Sequence, residues 1–439
     1  MTAPEPQAVG LAVLDLARAG RFGEIRDRFV APLRPMVVAD TLAHAWDTEL
    51  AALGPVTGVG TPATEDLGGR AVLVRIPVRF ERGERALQVT VVPTGELAGL
   101  LIGPAEVEAW QPPPYAHPDR FHEQELTLDA DGVEVPATLT LPTTGGPFPA
   151  LVLLAGSGPN DRDETVLAAK PFKDLAWGLA SRGVAVLRFD KVTFAHPERA
   201  RSNPAFTVAD EYVPHAVAGI RLLCAHPGVD AERIHVAGHS LGGTVAPRVA
   251  AAEPGVAGLV LLAAGSQPLH WAAVRQLRYL SSLDPATAAA QQPVVDAITA
   301  QAERVDSPDL SPDTPVDQLP FGTPAPYWLD LRGYDPVGTA AALDRPVLLC
   351  QGGRDYQATV TDDLARWRAG LDGRPDVTVR VYPADNHFFV PGTGPSTPTE
   401  LATAQHVDPQ LVDDIADWLA AHTPTAGAGV PHRPPGPLS

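Results

Sequence analysis

Gly238-His239-Ser240-Leu241-Gly242 reads G-x-S-x-G, and its flanks decide whether the serine can do chemistry. Ile234-His235-Val236-Ala237 precedes it as a short apolar, β-prone run. Gly242-Gly243-Thr244-Val245-Ala246 and Val249-Ala250-Ala251 follow as a small-residue helical pattern. Strand, sharp turn and helix together predict a nucleophile elbow, in which a strained backbone lifts the serine Oγ above a sheet edge. Glycines flank such a serine because a Cβ there would meet neighbouring backbone.

A serine hydroxyl is a poor nucleophile near neutral pH and needs a histidine base oriented by a carboxylate. After an elbow of this kind, the acid and then the base follow on loops at the ends of later strands. Val347-Leu348-Leu349-Cys350-Gln351 is such a strand, and Gly352-Gly353-Arg354-Asp355 after it supplies Asp355. The last strand runs into Val381-Tyr382-Pro383-Ala384-Asp385-Asn386-His387, which supplies His387. Asp385 is set aside as the acid, because it is too close in sequence to reach the His387 ring from the side of the preceding strand. An oxyanion needs two backbone N–H donors. Leu241, next to the nucleophile, offers one; the loop Ala155-Gly156-Ser157-Gly158-Pro159 offers the other, with Ser157 favoured and Gly156 or Gly158 as alternatives. Gly156 and Gly158 also let substrate approach the backbone closely.

The remaining polar residues have plainer readings. His239 is expected to pack beneath the nucleophile and His235 to pack in its strand. His215, His226 and His406 are assigned to packing, solvent or capping. Asn160-Asp161-Arg162-Asp163-Glu164 lacks the Gly and distal Glu of a calcium loop, so salt bridges with Arg162, Lys170 or Lys191 are expected and no metal. Asp190-Lys191, ending a strand, reads as a structural pair near the pocket.

The elements that must position these groups fall into two units. Residues 8–110 read as a small α+β domain: helices over 9–19, 22–29 and 40–53, then strands in which Val74, Ile76, Val78, Phe80 and Leu87, Val89, Val91 recur with period two. Gln111-Pro112-Pro113-Pro114 reads as a semi-rigid linker. Residues 117–422 open with a hairpin turning at 129–132. Apolar strands follow at 150–154, 184–188, 234–237, 259–263, 347–351 and 377–381, with helices near 171–181, 208–226, 241–252, 357–370 and 407–422 between most of them. This alternation predicts a mostly parallel sheet covered on both faces. Residues 266–342 hold no defensible sheet strand and suit a helical lid, with helices over 271–283 and 288–305, the second broken near Pro293. Trp271, Tyr279, Tyr327 and Trp328 are expected to line an apolar substrate pocket beneath it. The Pro/Gly/Ala-rich tail at 423–439 is expected to be disordered.

Composition narrows the partners. The chain of 439 residues carries a formal net charge of −19, which disfavours nucleic acid and anionic membranes. No run of about eighteen apolar residues suggests a membrane span. Met1–Gly10 shows no basic start of a secretory signal. Cys224 and Cys350 are expected as buried free thiols, which suits the cytoplasm.

Gly156–Asp163, Lys170–Ala176, Val186–Lys191, Gly238–Gly243 and Tyr327–Leu331 together resemble a branch of bacterial α/β-hydrolases. The branch comprises two-domain carboxylesterases related to the dienelactone-hydrolase and acyl-thioesterase-like groups. The resemblance covers residues 8–422. It implies an eight-stranded α/β-hydrolase core, hydrolysis of short-chain esters or thioesters, no cofactor, the triad Ser240, Asp355 and His387, and a cystatin-like N-terminal α+β domain. The stretch His196–Ala205 departs from the glycine-bearing segment expected after Asp190-Lys191, which leaves one pocket wall open. Two alternatives stay in view: an acyl transferase, lactonising or eliminating enzyme with the same triad, and a non-catalytic binding protein of this fold. For the N-terminal domain, shaping the entrance to the site or forming a homodimer are the two expectations.

Overall fold

In the computed structural model, residues 5–422 are described, apart from 32, 35, 36, 68, 70 and 106–109. The period-two runs of the N-terminal region form an antiparallel sheet because one side of each strand must leave water. Helices α1 (Pro6–Arg18), α2 (Phe22–Asp27) and α3 (Ala39–Leu53) precede strands β1 (Val56–Val59), β2 (Ala63–Asp66), β3 (Val72–Phe80), β4 (Gly83–Val91) and β5 (Leu97–Pro104). The order is β1-β3-β4-β5, with β2 also paired to β3. Val74, Ile76, Val78 and Phe80 point into a core shared with Val9, Val13, Leu14 and Ile25. β1, β2 and β5 were not anticipated: the first two are four residues each, and β5 (LAGLLIGP) has no apolar–polar alternation.

The larger unit begins with the expected hairpin, β6 (Phe121–Ala130) and β7 (Val133–Pro142). Then come β8 (Phe148–Leu154), α4 (Pro171–Ala180), β9 (Ala185–Phe189), α5 (Val192–Ala195), α6 (Pro197–Ser202), α7 (Val208–Ala225), β10 (Val229–His239), α8 (Leu241–Ala252) and β11 (Leu259–Leu262). Helices α9 (Leu269–Leu283), α10 (Pro285–Asp306), α11 (Ala325–Gly333) and α12 (Pro336–Ala342) separate β11 from β12 (Val347–Gly352). The chain closes with α13 (Ala365–Gly370), β13 (Val377–Tyr382) and α14 (Pro409–Ala421). The eight strands lie in the order β6-β7-β9-β8-β10-β11-β12-β13. From β9 to β13 every pairing is parallel, while β7 runs antiparallel to β9 and β6 to β7. This is the α/β-hydrolase fold.

Successive strand residues serve opposite faces, so the sheet buries two apolar layers. Val152, Leu187, Val236 and Leu261 pack under α7 and α8 through Tyr212, Ile220, Val245 and Val249. Leu151, Val186, Ala237 and Leu348 pack under α4 and α14 through Phe172, Leu179, Ile415 and Leu419. After β8 the chain crosses to β9 on one side and later returns to β10 on the other. The ends of β8 and β10 therefore flank a topological switch point, where a crevice opens.

Three expectations need correction. α10 runs unbroken through Pro293; the proline lies on the exposed side, so the carbonyl it leaves unpaired, that of Ala289, faces water. Cys224 is exposed and only Cys350 is buried, because α7 turns Ile220 and Leu223 inward and the next residue outward. Residues 360–364 form a π-helical turn ahead of α13 rather than part of one α-helix. Both thiols are free. No described helix is long and apolar enough to cross a membrane, and residues 423–439 lie outside the described region. The N-terminal unit rests on the start of α10: His44 Nε2 lies 3.3 Å from Asp284, the residue just before this helix. Ala31 lines a cavity of about 210 Å³ with Val294, Ile298 and Phe321.

Candidate active site

β10 ends at His239 and α8 starts at Leu241, so Ser240 makes the whole turn. Its backbone takes φ 52° and ψ −119°, a region that costs an L-residue on the order of 1–3 kcal/mol and persists only where the surroundings enforce it. The enforcement is visible. Ser240 N donates to Leu262 O at 2.9 Å. A Cβ at Gly238 would lie 2.2 Å from Gly242 O, and one at Gly242 would lie 2.1 Å from Leu154 O. Only glycine lets β10, α8 and the end of β8 come this close. Leu241 N–H stands in the first turn of α8, where backbone donors have no partner within the helix and the helix dipole favours an anion.

Asp355 and His387 converge from the ends of β12 and β13. His387 Nδ1 donates to Asp355 Oδ2 at 2.7 Å, and both side chains are buried. Asp355 Oδ2 also accepts from Gln351 Nε2 at 2.9 Å. Its Oδ1 accepts from Gln357 N at 2.7 Å and Ala358 N at 3.0 Å. With His387, four donors surround this buried carboxyl group and satisfy its oxygens. With Nδ1 committed, Nε2 is the nitrogen left to act as base. Ser240, Leu241, Gln357 and Ala358 line one cavity of about 340 Å³. Asp385, the rival acid, is fully buried, and its carboxyl oxygens find no donor among the described residues. Burial, aided by the nearby Asp408 carboxylate, pushes its pKa up to about 7.

The loop after β8 is held from several sides. Gly156 N donates to Glu164 Oε1 at 2.6 Å, so this amide is taken, and Ser157 and Gly158 remain as the candidate oxyanion donors of this loop. Asn160 Nδ2 reaches the carbonyls of Gly156 and Ser157, each at 3.0 Å. Lys191 Nζ, itself buried, donates to Gly156 O and to Tyr212 Oη, both at 2.8 Å, and pairs with Glu211 at 3.0 Å. Asp190 and Lys191 therefore do not pair with each other; Asp190 accepts from Arg162 instead. Within the acidic run, Asp163 pairs with Arg188 and Lys170, while Glu164 faces His239.

A larger cavity of about 690 Å³ opens beside this loop, lined by Ser157, Gly158, Phe206, Leu269, Tyr327 and Trp328 among others. Pro197 and Ala200 complete the wall left open above. Tyr327 Oη donates to Glu211 at 2.6 Å, presenting its ring to the cavity. Trp271 and Tyr279 line neither cavity. Trp271 Nε1 donates to Asp306 at 2.7 Å, and Tyr279 stacks on Tyr356 with centroids 4.6 Å apart. Both sit on α9, where residues separated by one helical step face different neighbours.

Sequence reasoning passed over the parts played by Glu164, Lys191 and Glu211, and gave His239 only a packing role. One signal was available: Lys191, in a chain whose other lysines are Lys170 and Lys173, ends an apolar strand that buries everything around it.

No family profile matches the chain. Esterase EstD of Thermotoga maritima is 37% identical over 343 residues, covering 78% of each chain. Among solved structures, Est1E from Butyrivibrio proteoclasticus superposes with a TM-score of 0.44 at 16% identity, over 68% of this chain and 98% of that one. An esterase of Pyrococcus furiosus gives a TM-score of 0.42 at 16% identity, over 72% and 99%.

Proposed function

Since the chain belongs to the EstD-like esterases of the α/β-hydrolase superfamily and is a carboxylic ester hydrolase, we propose that Ser240, Asp355 and His387 are its catalytic triad. The observation that carries this assignment is the strained Ser240 turn at the end of β10, beside the 2.7 Å His387–Asp355 contact at the ends of β12 and β13. His387 Nε2 takes the Ser240 proton as Oγ attacks the ester carbonyl. The Leu241 and Ser157 amides receive the oxyanion, each such donor being worth about 10²–10³ in rate. His387 then protonates the departing alcohol or thiol and later activates the water that releases the acid.

The substrates are short-chain carboxylic esters and thioesters. Their apolar part enters the cavity bounded by Phe206, Leu269, Tyr327 and Trp328, under the lid formed by residues 266–342. The cavity that Ala31 shares with Val294 and Ile298 of α10, and the contact of His44 with Asp284 just before that helix, support a role for the N-terminal unit in backing that lid, rather than in dimerisation. The free thiols fit a reducing compartment such as the cytoplasm.

A panel of p-nitrophenyl esters and acyl thioesters, from two to twelve acyl carbons, tests the reading. Hydrolysis that peaks at short chains and disappears in Ser240→Ala is the expected result. Release of product only when a second alcohol is supplied would instead make the protein an acyl transferase.

A further inference from the structure

His239 fills the variable position of the elbow, yet both of its ring nitrogens are engaged. Nδ1 lies 2.8 Å from Glu164 Oε1, and Nε2 lies 3.0 Å from the backbone carbonyl of His387. Glu164 Oε1 also receives the Gly156 N–H at 2.6 Å. Both side chains are buried, and Glu164 adopts a left-handed φ of 51° to reach this place. A non-glycine residue held so is held for a reason elsewhere in the structure.

A carbonyl accepts only, and so does a carboxylate. A ring flanked by both donates from both nitrogens, an arrangement that favours the imidazolium form of His239. Burial alone would strip that charge; the adjoining carboxylate outweighs it and raises the His239 pKa. The ring centroid of His239 stands 4.7 Å from that of His387.

We propose that Glu164 and His239 are a buried positioning pair that ties the oxyanion loop to the His387 loop. The tie follows from the chain of bonds: Gly156 N–H to Glu164, Glu164 to His239, His239 to His387 O. It links the loop after β8 to the loop after β13 across the end of β10. Ser157 N–H and the His387 ring thereby keep one separation while the oxyanion forms. This inference rests on the triad and oxyanion roles proposed above.

Glu164→Gln tests the tie. The amide oxygen can still accept from Gly156 N–H, but a neutral side chain cannot hold an imidazolium, and a neutral His239 has one N–H to donate, so it loses its bond either to residue 164 or to His387 O. Expected for Glu164→Gln are a kcat lowered about 100-fold, the scale of an ångström-sized misplacement, and a KM within about threefold. His239→Gln, which breaks the same chain of bonds at its middle, should lower kcat on the same scale with KM again little changed. Wild-type protein labelled with ¹⁵N-histidine, observed at pH 8, should show an imidazolium signal that Glu164→Gln removes; this holds the inference testable even if a variant folds poorly. A wild type without that signal, or a folded Glu164→Gln with the wild-type kcat, overturns the inference. Labelling of Ser240 by a fluorophosphonate, run alongside, reports on the triad separately. Labelled wild type with an unaffected Glu164→Gln refutes only the pair, whereas unlabelled wild type refutes the triad reading itself.

Discussion

Lys191→Met is the perturbation whose size the structure sets most sharply. The ammonium is 2% exposed and its partner Glu211 4%. It holds Gly156 O, Tyr212 Oη and Glu211 at once. Methionine restores the aliphatic stem but leaves Glu211 as a buried anion supported, among the described residues, by Thr193 and Tyr327. Removing one partner of a buried ion pair costs about 3–5 kcal/mol, far more than the intact pair contributes over an apolar replacement. At about 2 °C per kcal/mol for a domain of this size, the melting temperature should fall by roughly 6–10 °C. Adding Glu211→Gln removes the stranded charge while its amide oxygen still accepts from Tyr327, so the double variant should regain most of the loss. Tyr212 Oη still donates to Gly156 O at 2.8 Å, and Asn160 and Glu164 still hold the loop, so kcat should drop about tenfold rather than vanish. Thermal melts followed by circular dichroism at fixed pH, with steady-state rates on one ester, read both effects. A single variant as stable as wild type, or a double variant less stable than the single, would refute the reasoning.

Asp355→Asn preserves shape and the bonds from Gln357 and Ala358 but holds His387 in the wrong tautomer, so kcat should fall about 10⁴-fold. Rates within tenfold of wild type would exclude Asp355 as the acid. Asp385, pushed up to about 7 by burial and then by Asp408, keeps its proton in the folded chain at pH values where the unfolded chain, at about 4, has lost it. The folded state therefore binds more protons between about pH 4 and 7. Stability from the protonated carboxyl is complete below about pH 4 and is lost as pH rises through 7. Asp385→Asn cannot ionise, so its melting temperature should vary less between pH 5 and 8 and exceed that of wild type at pH 8. Parallel curves for the two proteins would contradict this.

The strand–turn–helix around Ser240 was legible because local rules write it: an apolar run, a glycine-bounded serine, a small-residue helix. The loops bearing Asp355 and His387 were legible for the same reason, since each follows an apolar strand. Alternating strands and helices likewise announced a covered parallel sheet. What escaped depends on tertiary neighbours. Glu164 lies 75 residues from His239 in sequence and meets it only because β8 and β10 are adjacent in the sheet. Lys191 looked like the partner of Asp190 beside it, but consecutive residues point apart, and each found its counter-charge on another element. Pro293 looked like a helix breaker because its exposure on α10 could not be read from the chain. Trp271 looked like a pocket residue because aromaticity does not say which way a helix faces.

Trapping the covalent intermediate tests the central claim most directly. Protein mixed with a p-nitrophenyl ester, quenched in acid within the first turnover and digested, is examined by mass spectrometry beside Ser240→Ala. The account predicts one acyl group per chain on the peptide holding Ser240, a matching burst of p-nitrophenolate, and neither in the variant. An acyl group on another residue, or undiminished hydrolysis by Ser240→Ala, would contradict it.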